Sequence, residues 1–516
     1  MQSIPPQPDR GFAPHAESVY SSRLPHWIDP AVAFDLLYGR SSHAVWLDAG
    51  AGATAGVSYL AAAHAGSRFV TASAGAGTVT CSRPLDATDA PRTTSAGIFD
   101  FLRADLVPPG AAWVPATGPT GDGFRLGWVG WFGYGLAAPA AHDGSGDRSR
   151  GDTPDAALLF VDRAIAFDHA ARTVTLLAIT GPGVTAADLD AWVLDTARTL
   201  DHRTPDTEPH DTQAPAARPD QPAASDVPRE VRWRHDAVEY VRLIEACQEH
   251  IVAGDAYQLC LTNEVTVAGR FDPLEVYRRL RTGSPSHHGG MLRFGPFALL
   301  SASPEEFLSV SPAGRLRTRP IKGTRPRSAD PAEDRQLQGD LLASDKERAE
   351  NLMIVDLMRN DLGRVAALGS VAVTSLLQVE SYPHVHQLVS TVEARLAPGL
   401  CAVDAIEACF PAGSMTGAPK ASAMRILATL EGGDRGVYAG AFGYLGVDGA
   451  VDLAMVIRSI VLGPSGASIG TGGGITALSV PAEEIEETHI KARALITAIL
   501  ASSPAAEAAD GQGLVT

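Results

Sequence analysis

Residues Arg319-Pro320-Ile321-Lys322-Gly323-Thr324-Arg325-Pro326-Arg327 contain the first lysine of a 516-residue chain that uses lysine only four times. The other 38 of its 42 basic residues are arginines. A lysine amine can lose its proton and then attack carbon, whereas a guanidinium stays charged. Lys322 is therefore the candidate nucleophile. The alternative is a coding bias that left a few lysines at random, and we apply it to Lys346, which lies in the charged run from Ser344 to Arg348.

Composition and charge limit the possible partners of the chain. The formal net charge is −17, which argues against a surface for nucleic acid or anionic membrane. The five cysteines have no CxxC spacing, so neither a disulfide framework nor a cysteine zinc site is predicted. No apolar run reaches the roughly 18 residues of a membrane span, and the N-terminus has no signal-peptide pattern. We expect a soluble cytoplasmic protein without a nucleic-acid or membrane partner.

The chain divides around a segment of low hydrophobicity. Residues 203–229 are rich in Pro, Ala, Asp and Thr, and such a segment cannot repay its ordering entropy, so it is predicted to be a linker. An N-terminal lobe, residues 1–202, precedes it, and a catalytic domain, residues 230–502, follows. Residues 503–516 are predicted to form a flexible tail. Periodicity predicts helices over Ala237–Val252, Glu347–Leu362 and Ala482–Leu500, and the mixture with strand patterns indicates an α/β or α+β fold.

Two of these helices carry paired carboxylates. Glu347 and Glu350 are three residues apart on one helix, and Glu484 and Glu487 are three apart on the other. This spacing puts each pair on one helix face. If the two faces meet, four carboxylates converge and need a cation, and all-oxygen ligands suit Mg²⁺. A single Glu-x-x-Glu pair is more often a solvated helix face, so the hypothesis depends on the accompanying motifs.

A glycine-rich segment, Gly470-Thr471-Gly472-Gly473-Gly474-Ile475, offers backbone N–H groups to an anion because glycine has no Cβ to obstruct the approach. It does not match the dinucleotide fingerprint, and the chain has no P-loop pattern. The structural alternative for this segment is a tight turn between two strands.

Three long motifs, in this order, carry a family resemblance. They are Arg319–Arg327, quoted above, Ala349-Glu350-Asn351-Leu352-Met353-Ile354-Val355-Asp356-Leu357-Met358-Arg359-Asn360-Asp361, and Gly413-Ser414-Met415-Thr416-Gly417-Ala418-Pro419-Lys420. With them the chain resembles the chorismate-utilising enzymes, and within this family the component I chains that form aminodeoxychorismate. The resemblance is strong over residues 230–500. It implies an anthranilate-synthase-like layered α/β sandwich, with two large antiparallel sheets packed against each other and helices outside.

The resemblance also implies a covalent mechanism. The position of Lys322 is alanine in the similar anthranilate synthases and a lysine that attacks C2 of chorismate in the aminodeoxychorismate enzymes. Such an amine must be neutral, and we expect burial and the flanking Arg319 and Arg325 to lower its pKa. In Ser303-Pro304-Glu305-Glu306-Phe307, Glu305 matches the acid that assists departure of the C4 hydroxyl, although the adjacent Glu306 leaves the register open.

Further roles follow from the same resemblance. Gln258 stands where relatives that add water carry a lysine, so water addition at C2 is disfavoured. Mg²⁺ is expected on Glu350 and Glu487, with Glu347 and Glu484 behind them. The substrate-binding residues implied are Gln258, Gly323, Thr324, Tyr438, Arg458, Gly472, Gly473, Gly474 and Lys491. Tryptophan binding is doubtful, because the segment that contacts tryptophan in relatives reads Ser284-Pro285-Ser286-His287-His288-Gly289 here. The roles of His386 and Gln387 stay open.

These features predict Mg²⁺-dependent amination of chorismate at C4 with ammonia, giving 4-amino-4-deoxychorismate in the p-aminobenzoate pathway. The chain contains no recognisable glutaminase sequence, so a separate glutamine amidotransferase is the expected partner. One alternative is amination at C2, as in anthranilate synthase component I, which Lys322 argues against. The other is a catalytically silent chorismate-binding subunit. Whether the product feeds folate or a secondary metabolite, and the oligomeric state, are not determined by the sequence.

Overall fold

The computed structural model describes residues 19–106, 123–140, 153–180, 184–201, 229–382 and 385–503. The predicted linker, apart from Arg229, and the predicted tail, apart from Ser503, lie outside these residues. The helices found in the described ranges are α1 Pro30–Tyr38, α2 Ile98–Leu106, α3 Ala186–Asp201, α4 Ala237–Val252, α5 Pro273–Gly283, α6 Pro331–Ala343, α7 Asp345–Gly363, α8 Ala402–Cys409, α9 Lys420–Leu430 and α10 Pro481–Leu500.

The strands found in the described ranges are β1 Val19–Arg23, β2 His43–Asp48, β3 Val57–Ala62, β4 Phe69–Ser73, β5 Thr78–Ser82, β6 Arg92–Ser95, β7 Gly127–Phe132, β8 Ala156–Val161, β9 Arg163–Asp168, β10 Thr173–Ile179, β11 Val231–Trp233, β12 Gln258–Ala268, β13 His288–Phe294, β14 Phe297–Ser303, β15 Glu306–Val310, β16 Arg315–Thr318, β17 Ile321–Pro326, β18 Ala372–Ser381, β19 Val385–Arg395, β20 Gly417–Ala418, β21 Ala441–Gly446, β22 Val451–Met455, β23 Ser459–Gly463 and β24 Gly466–Ile475.

These strands form two antiparallel sheets. The first sheet has the order β1-β10-β9-β3-β2-β13-β14-β23-β24-β12-β11, with β20 also paired to β12. The second has the order β17-β19-β16-β15-β22-β21-β7-β8-β4-β5-β6, with β18 also paired to β19. The predicted architecture of two large antiparallel sheets with helices is confirmed. Strands from both sides of residues 203–229 occur in each sheet, so the N-terminal lobe and the catalytic domain share their sheets.

The alternating direction of side chains along each strand explains how the apolar residues are divided between two clusters. Val45 and Leu299 of the first sheet are buried in one apolar cluster with Val129 and Leu308 of the second sheet. The chain neighbours of Val45 and Leu299, among them Trp46, are buried instead in a second cluster. Because successive side chains of a strand point to opposite faces, the residues that the two sheets share in the first cluster fill the space between them. The same cluster continues through Trp128 and Phe307 to α2, α7 and α8 on the other face of the second sheet. The second cluster contains residues of α1, α5 and α10, which therefore cover the outer face of the first sheet.

The helix predictions are close to the observed bounds. The periodic run Ala237–Val252 is α4, and the two glutamate-bearing runs are α7 and α10. The hydroxyl of Ser344 caps α7 by accepting a hydrogen bond from Glu347 N at 3.4 Å, and α10 begins with Pro481. A capping hydroxyl and a proline at the first position both favour the start of a helix. Both glutamate pairs therefore lie in the early turns of their helices. Across the described residues, we find no helix with the length and apolar character needed to cross a membrane.

Candidate active site

Lys322 lies on β17, among acidic side chains. Its side chain is 15% exposed, and its Nζ lies 3.6 Å from Glu350 Oε2 on α7. A Cβ placed on Gly474 of β24 would lie 3.7 Å from Lys322 Nζ and 2.1 Å from the side-chain nitrogen of Gln258. The fold therefore brings Lys322, Glu350, Gln258 and Gly474 together from four separate elements, and a larger residue at position 474 would displace the amide of Gln258.

In this structure the pKa of Lys322 is raised, so the prediction that it is lowered is wrong. Burial lowers this pKa, but the carboxylates of Glu350, Glu305 and Glu487 and the thiol of Cys260 outweigh burial and raise it. The flanking arginines do not oppose this effect, since Arg319 is paired with Glu380 and Arg325 lies 3.6 Å from Glu347. Negative charge near an amine favours its protonated form. Lys322 is consequently held as an ammonium until the surrounding carboxylates are neutralised.

Glu305 is a buried carboxyl beside the same amine. It is 7% exposed, and its Oε1 accepts a hydrogen bond from Ile321 N at 3.3 Å. Burial raises its pKa to about 7, although Lys322, the Ile321 amide and a hydrogen bond from Ser414 all act in the opposite direction. A carboxyl with a pKa near neutrality can donate and recover a proton at physiological pH.

The two neighbouring glutamates have different surroundings. Glu305 lies near Lys322, whereas the carboxylate of Glu306 accepts hydrogen bonds from Arg317 at 3.2 and 2.8 Å. Because β15 begins at Glu306, successive side chains here point in opposite directions. The structure thus places Glu305, and not Glu306, beside the candidate nucleophile.

The glutamate pairs of α7 and α10 approach each other. Glu350 is close enough to Glu347 and Glu484 for both to raise its pKa, behind the larger effect of burial. Lys346 donates to Glu484 at 3.2 Å and also interacts with Glu350 and Glu487. The four carboxylates are therefore neutralised in part by lysines in the chain itself.

The glutamates offer a metal ion an all-oxygen donor set. Mg²⁺ binds through one or two carboxylates, waters and substrate oxygens, so a tight group of three protein ligands is not required. Among the described residues, the group of three whose ligand atoms lie within 4.8 Å of one another consists instead of His288, Glu306 and Asp452. The four glutamates fit Mg²⁺ by donor chemistry and by their convergence.

The glycine-rich segment is part of β24, and the alternative of a turn is wrong. Its residues pair with β12, where Gly472 lies opposite Thr262. Lys491 donates to Gly472 O at 2.7 Å and pairs with Glu487 at the same distance. A Cβ on Gly473 would lie 3.0 Å from Glu484 Oε2. This strand therefore runs directly alongside the glutamates of α10.

Tyr438 and Arg458 lie at the edge of the site. A Cβ on Gly470 would lie 2.0 Å from the Tyr438 ring, so glycine is required where this ring crosses β24. Arg458 has a φ of +49°, a left-handed conformation that is costly for a residue with a side chain. The residue is exposed, and its guanidinium interacts electrostatically with Tyr438 and Glu487. It is available to a carboxylate.

The other predicted positions differ in their surroundings. Gly323 has a φ of +81°, and a Cβ there would lie 2.9 Å from the Glu347 carboxyl carbon, so it adjoins the glutamates. Thr324 is exposed and lies opposite Gln387 on β19. His386, whose role was open, contacts Asp334 and Ser381 at 2.9 and 2.7 Å.

Sequence reasoning missed several residues near the site. Lys346 was interpreted as a random surface lysine, but it contacts Glu484, as described above. Lys420 donates to Asp361 at 2.6 Å and to two backbone carbonyls, which ties the Gly413–Lys420 motif to the end of α7. The scarcity of lysine was the available signal, since each of the four lysines makes an ion pair with a carboxylate at or next to the motifs.

A separate cavity of about 1040 Å³ lies toward the other end of β12 and β24. Arg234, Glu264 and Ser468 contribute to its wall, and it reaches Tyr438 and Gly470. Neither Lys322 nor Glu305 lines it, so the chemistry of the buried amine and carboxyl lies outside this cavity.

Comparison with known proteins identifies the class. The sequence profile of the chorismate binding enzymes matches residues 62–497. The chain belongs to this family, and its relatives support an enzyme that acts on chorismate. Two similar relatives are aminodeoxychorismate synthases. That of Streptomyces griseus is 42% identical over 511 residues, 98% of this chain and 68% of that protein. That of Streptomyces pristinaespiralis is 44% identical over 418 residues, 80% of this chain and 56% of that protein.

The fold agrees with a solved relative. Anthranilate synthase component I from Streptococcus pneumoniae superimposes with a TM-score of 0.67 at 26% identity, covering 91% of this chain and 97% of that one. The likeness extends over both sheets, because it covers nearly all of each chain.

Proposed function

We propose that this chain aminates chorismate at C4 with ammonia, in a Mg²⁺-dependent reaction that passes through a covalent adduct on Lys322. The observation that carries this proposal is the buried pair of an amine and a carboxyl with a pKa of about 7, Lys322 and Glu305, beside four glutamates. Lys322 supplies a nucleophile, and Glu305 supplies a proton. The aminodeoxychorismate synthases among the relatives give the same reaction class.

The first displacement forms one bond and breaks another. The neutral amine of Lys322 adds to C2 of the ring, the double bonds shift, and the C4–oxygen bond breaks. Glu305 gives its proton to the departing hydroxyl, which leaves as water. The nitrogen proton of the new adduct is then free to return to the Glu305 carboxylate.

The second displacement reverses the bond changes at C2. Ammonia adds at C4, the double bonds shift back, and the C2–nitrogen bond to Lys322 breaks. One proton from the incoming ammonia is transferred to the lysine nitrogen, so that the free amine is restored and the product carries an amino group at C4. Charge and atoms balance without an oxidant or a reductant.

Glu350 and Glu487, with Glu347 and Glu484 behind them, are the residues that would hold Mg²⁺. When bound, the ion would supply positive charge that anchors a substrate carboxylate and offsets the glutamates. With their charge offset, the carboxylates would no longer raise the pKa of Lys322, and burial would then favour the neutral amine. Arg458 and the amides of β24 would bind the other carboxylate.

A side chain in the site cannot activate water as a base. Gln258 is 1% exposed, and its Oε1 is buried without a hydrogen-bond partner in the described structure. An amide cannot remove a proton from water as a base, but its oxygen accepts hydrogen bonds. Gln258 would thus orient an N–H donor near Lys322. We propose that a separate glutamine amidotransferase delivers ammonia and that the chain itself acts in the cytoplasm.

The tests of this function are product identification and capture of the adduct. Incubation with chorismate, Mg²⁺ and an ammonium salt should give 4-amino-4-deoxychorismate by mass spectrometry, and anthranilate as the main product would show amination at C2 instead. Without ammonia, an adduct should accumulate on the peptide Arg319–Gly323. Lys322→Ala should remove the adduct and slow amination severely. Lys322→Arg should restore neither the adduct nor the amination, because a guanidinium stays protonated. Near-normal amination at C4 by Lys322→Ala, with no adduct in the native protein, would reduce Lys322 to a binding residue.

A further inference from the structure

A second group of metal-ligand side chains lies where the two sheets face each other. His288 begins β13 of the first sheet, and Glu306 and Asp452 lie on β15 and β22 of the second. Their ligand atoms all lie within 4.8 Å of one another. Three elements that are distant in sequence, and that belong to two different sheets, therefore converge on one point.

Two of the ligand-bearing side chains carry atoms that lack partners. The Nδ1 of His288 and the Oδ1 of Asp452 are buried without a hydrogen-bond partner in the described structure. His288 Nε2 lies 3.8 Å from Asp452 Oδ1, which is too long for a hydrogen bond. A buried polar atom without a partner is costly, and a cation bound between His288 Nε2 and Asp452 Oδ1 would supply a partner for Oδ1.

The donor set favours a transition metal. Imidazole and carboxylate ligands bind zinc at about 2.0–2.2 Å, so two ligand atoms of a tetrahedral site lie about 3.4 Å apart. The His288–Asp452 distance of 3.8 Å is close to this value, and the pairs with Glu306, which lie within 4.8 Å, would have to close by at most about 1.4 Å. We propose that His288, Glu306 and Asp452 bind Zn²⁺ or a similar divalent transition-metal ion, and that this ion links the two sheets. The all-oxygen glutamate set of α7 and α10 is chemically distinct and favours Mg²⁺.

Glu306 can serve this ion while keeping its other contacts. Its two oxygens accept hydrogen bonds from Arg317, and Oε1 also accepts one from Ser309 at 3.3 Å. A carboxylate has about four lone-pair sites, so a coordination bond can be added. Arg317 pairs with Glu306, and Asp452 offers the ion a second carboxyl group.

The space beside the ligands suits an ion with bound water. A cavity of about 80 Å³ is lined by His288 and Asp452 together with His287, Tyr59 and Tyr444. One water molecule needs about 10–15 Å³ of such space, whereas pockets for organic ligands measure about 300–1,000 Å³. Waters can complete the coordination shell, and an aromatic amino acid does not fit.

The test uses the full chain and reads metal binding directly, so it does not depend on the proposed amination. Protein stripped with EDTA is returned to buffer with excess Mg²⁺, titrated with Zn²⁺, and separated from free metal by gel filtration. We expect one retained zinc per chain and, with Co²⁺ as a spectroscopic probe, visible absorption of a nitrogen and oxygen site. Zinc should also raise the melting temperature, because an ion that binds only the folded state stabilises it.

Variants locate the site. His288→Ala and Asp452→Asn should each weaken zinc binding by about tenfold or more and remove the thermal shift. His287→Ala is the matched control, since this neighbouring imidazole stacks on Tyr382 and is outside the ligand set. It should retain the zinc, as should Glu350→Gln. If native protein retains no zinc, or if His288→Ala binds it normally, the proposal is wrong. Loss of zinc in Glu350→Gln with retention in His288→Ala would assign the metal to the glutamates instead and overturn it as well.

Discussion

Replacement of Glu305 by glutamine should separate the chemical role of this carboxyl from its cost in stability. Burial raises its pKa from an ordinary 4.5 to about 7. Below pH 4.5 the carboxyl is protonated in the folded and unfolded states alike, so it does not affect stability. As the pH rises from 4.5 to 7, the unfolded state ionises first and is favoured. Above pH 7 the penalty is constant at about 3 kcal/mol, since each pH unit in this window contributes about 1.4 kcal/mol.

Glu305→Gln removes this penalty while keeping the size of the side chain. The variant should therefore be more stable than the native chain by about 3 kcal/mol at pH 8 and by only about 1 kcal/mol at pH 5. Urea unfolding in EDTA, followed by tryptophan fluorescence, measures both differences. The same variant should lose amination, because an amide has no proton to give to the leaving hydroxyl.

The control for this comparison is Glu245→Gln, an exposed position on α4. Its effect on stability should be small and equal at the two pH values. If Glu305→Gln is no more stable than the native chain at pH 8, or if its advantage is the same at pH 5, then Glu305 does not carry the raised pKa. The assignment of Glu305 as the acid would lose its physical basis.

Three other predictions concern the metal, the partner and the packing of the motifs. Glu350→Gln or Glu487→Gln should nearly abolish turnover with an unchanged circular dichroism spectrum, and native activity with native Mg²⁺ dependence in either variant would remove the proposed metal site. The isolated chain should use ammonium but not glutamine until a cognate amidotransferase is added, so glutamine-driven synthesis by the chain alone would contradict the proposed partner. Lys420→Met should destabilise the fold by about 3–5 kcal/mol, because Asp361 would be left buried without its cation; an unchanged urea midpoint would show that this ion pair does not hold the motif.

The sequence by itself determined the family, three of the helices and the chemistry of the candidate residues. The run Ala237–Val252 repeats its apolar residues with helical spacing, and that local signal survives in α4 because helix periodicity is a property of neighbouring residues. Lys322 and the two glutamate pairs also stood out locally, since an unusual residue type or a spacing of three needs no knowledge of distant contacts. The motif order then placed the chain among the chorismate-utilising enzymes.

Only the tertiary structure decided what surrounds each of these groups. The expected direction of the Lys322 pKa was wrong, because the neighbouring arginines in sequence pair with Glu380 and Glu347 while carboxylates from other elements approach the amine. The sequence could not distinguish Lys346 from any other lysine, because its contact with Glu484 depends on where the fold places α10. The convergence of His288 with Asp452 had no sequence signal, since it depends on how two sheets face each other. Electrostatic energy depends on distance in space and on burial, and neither quantity is written in the order of residues along the chain.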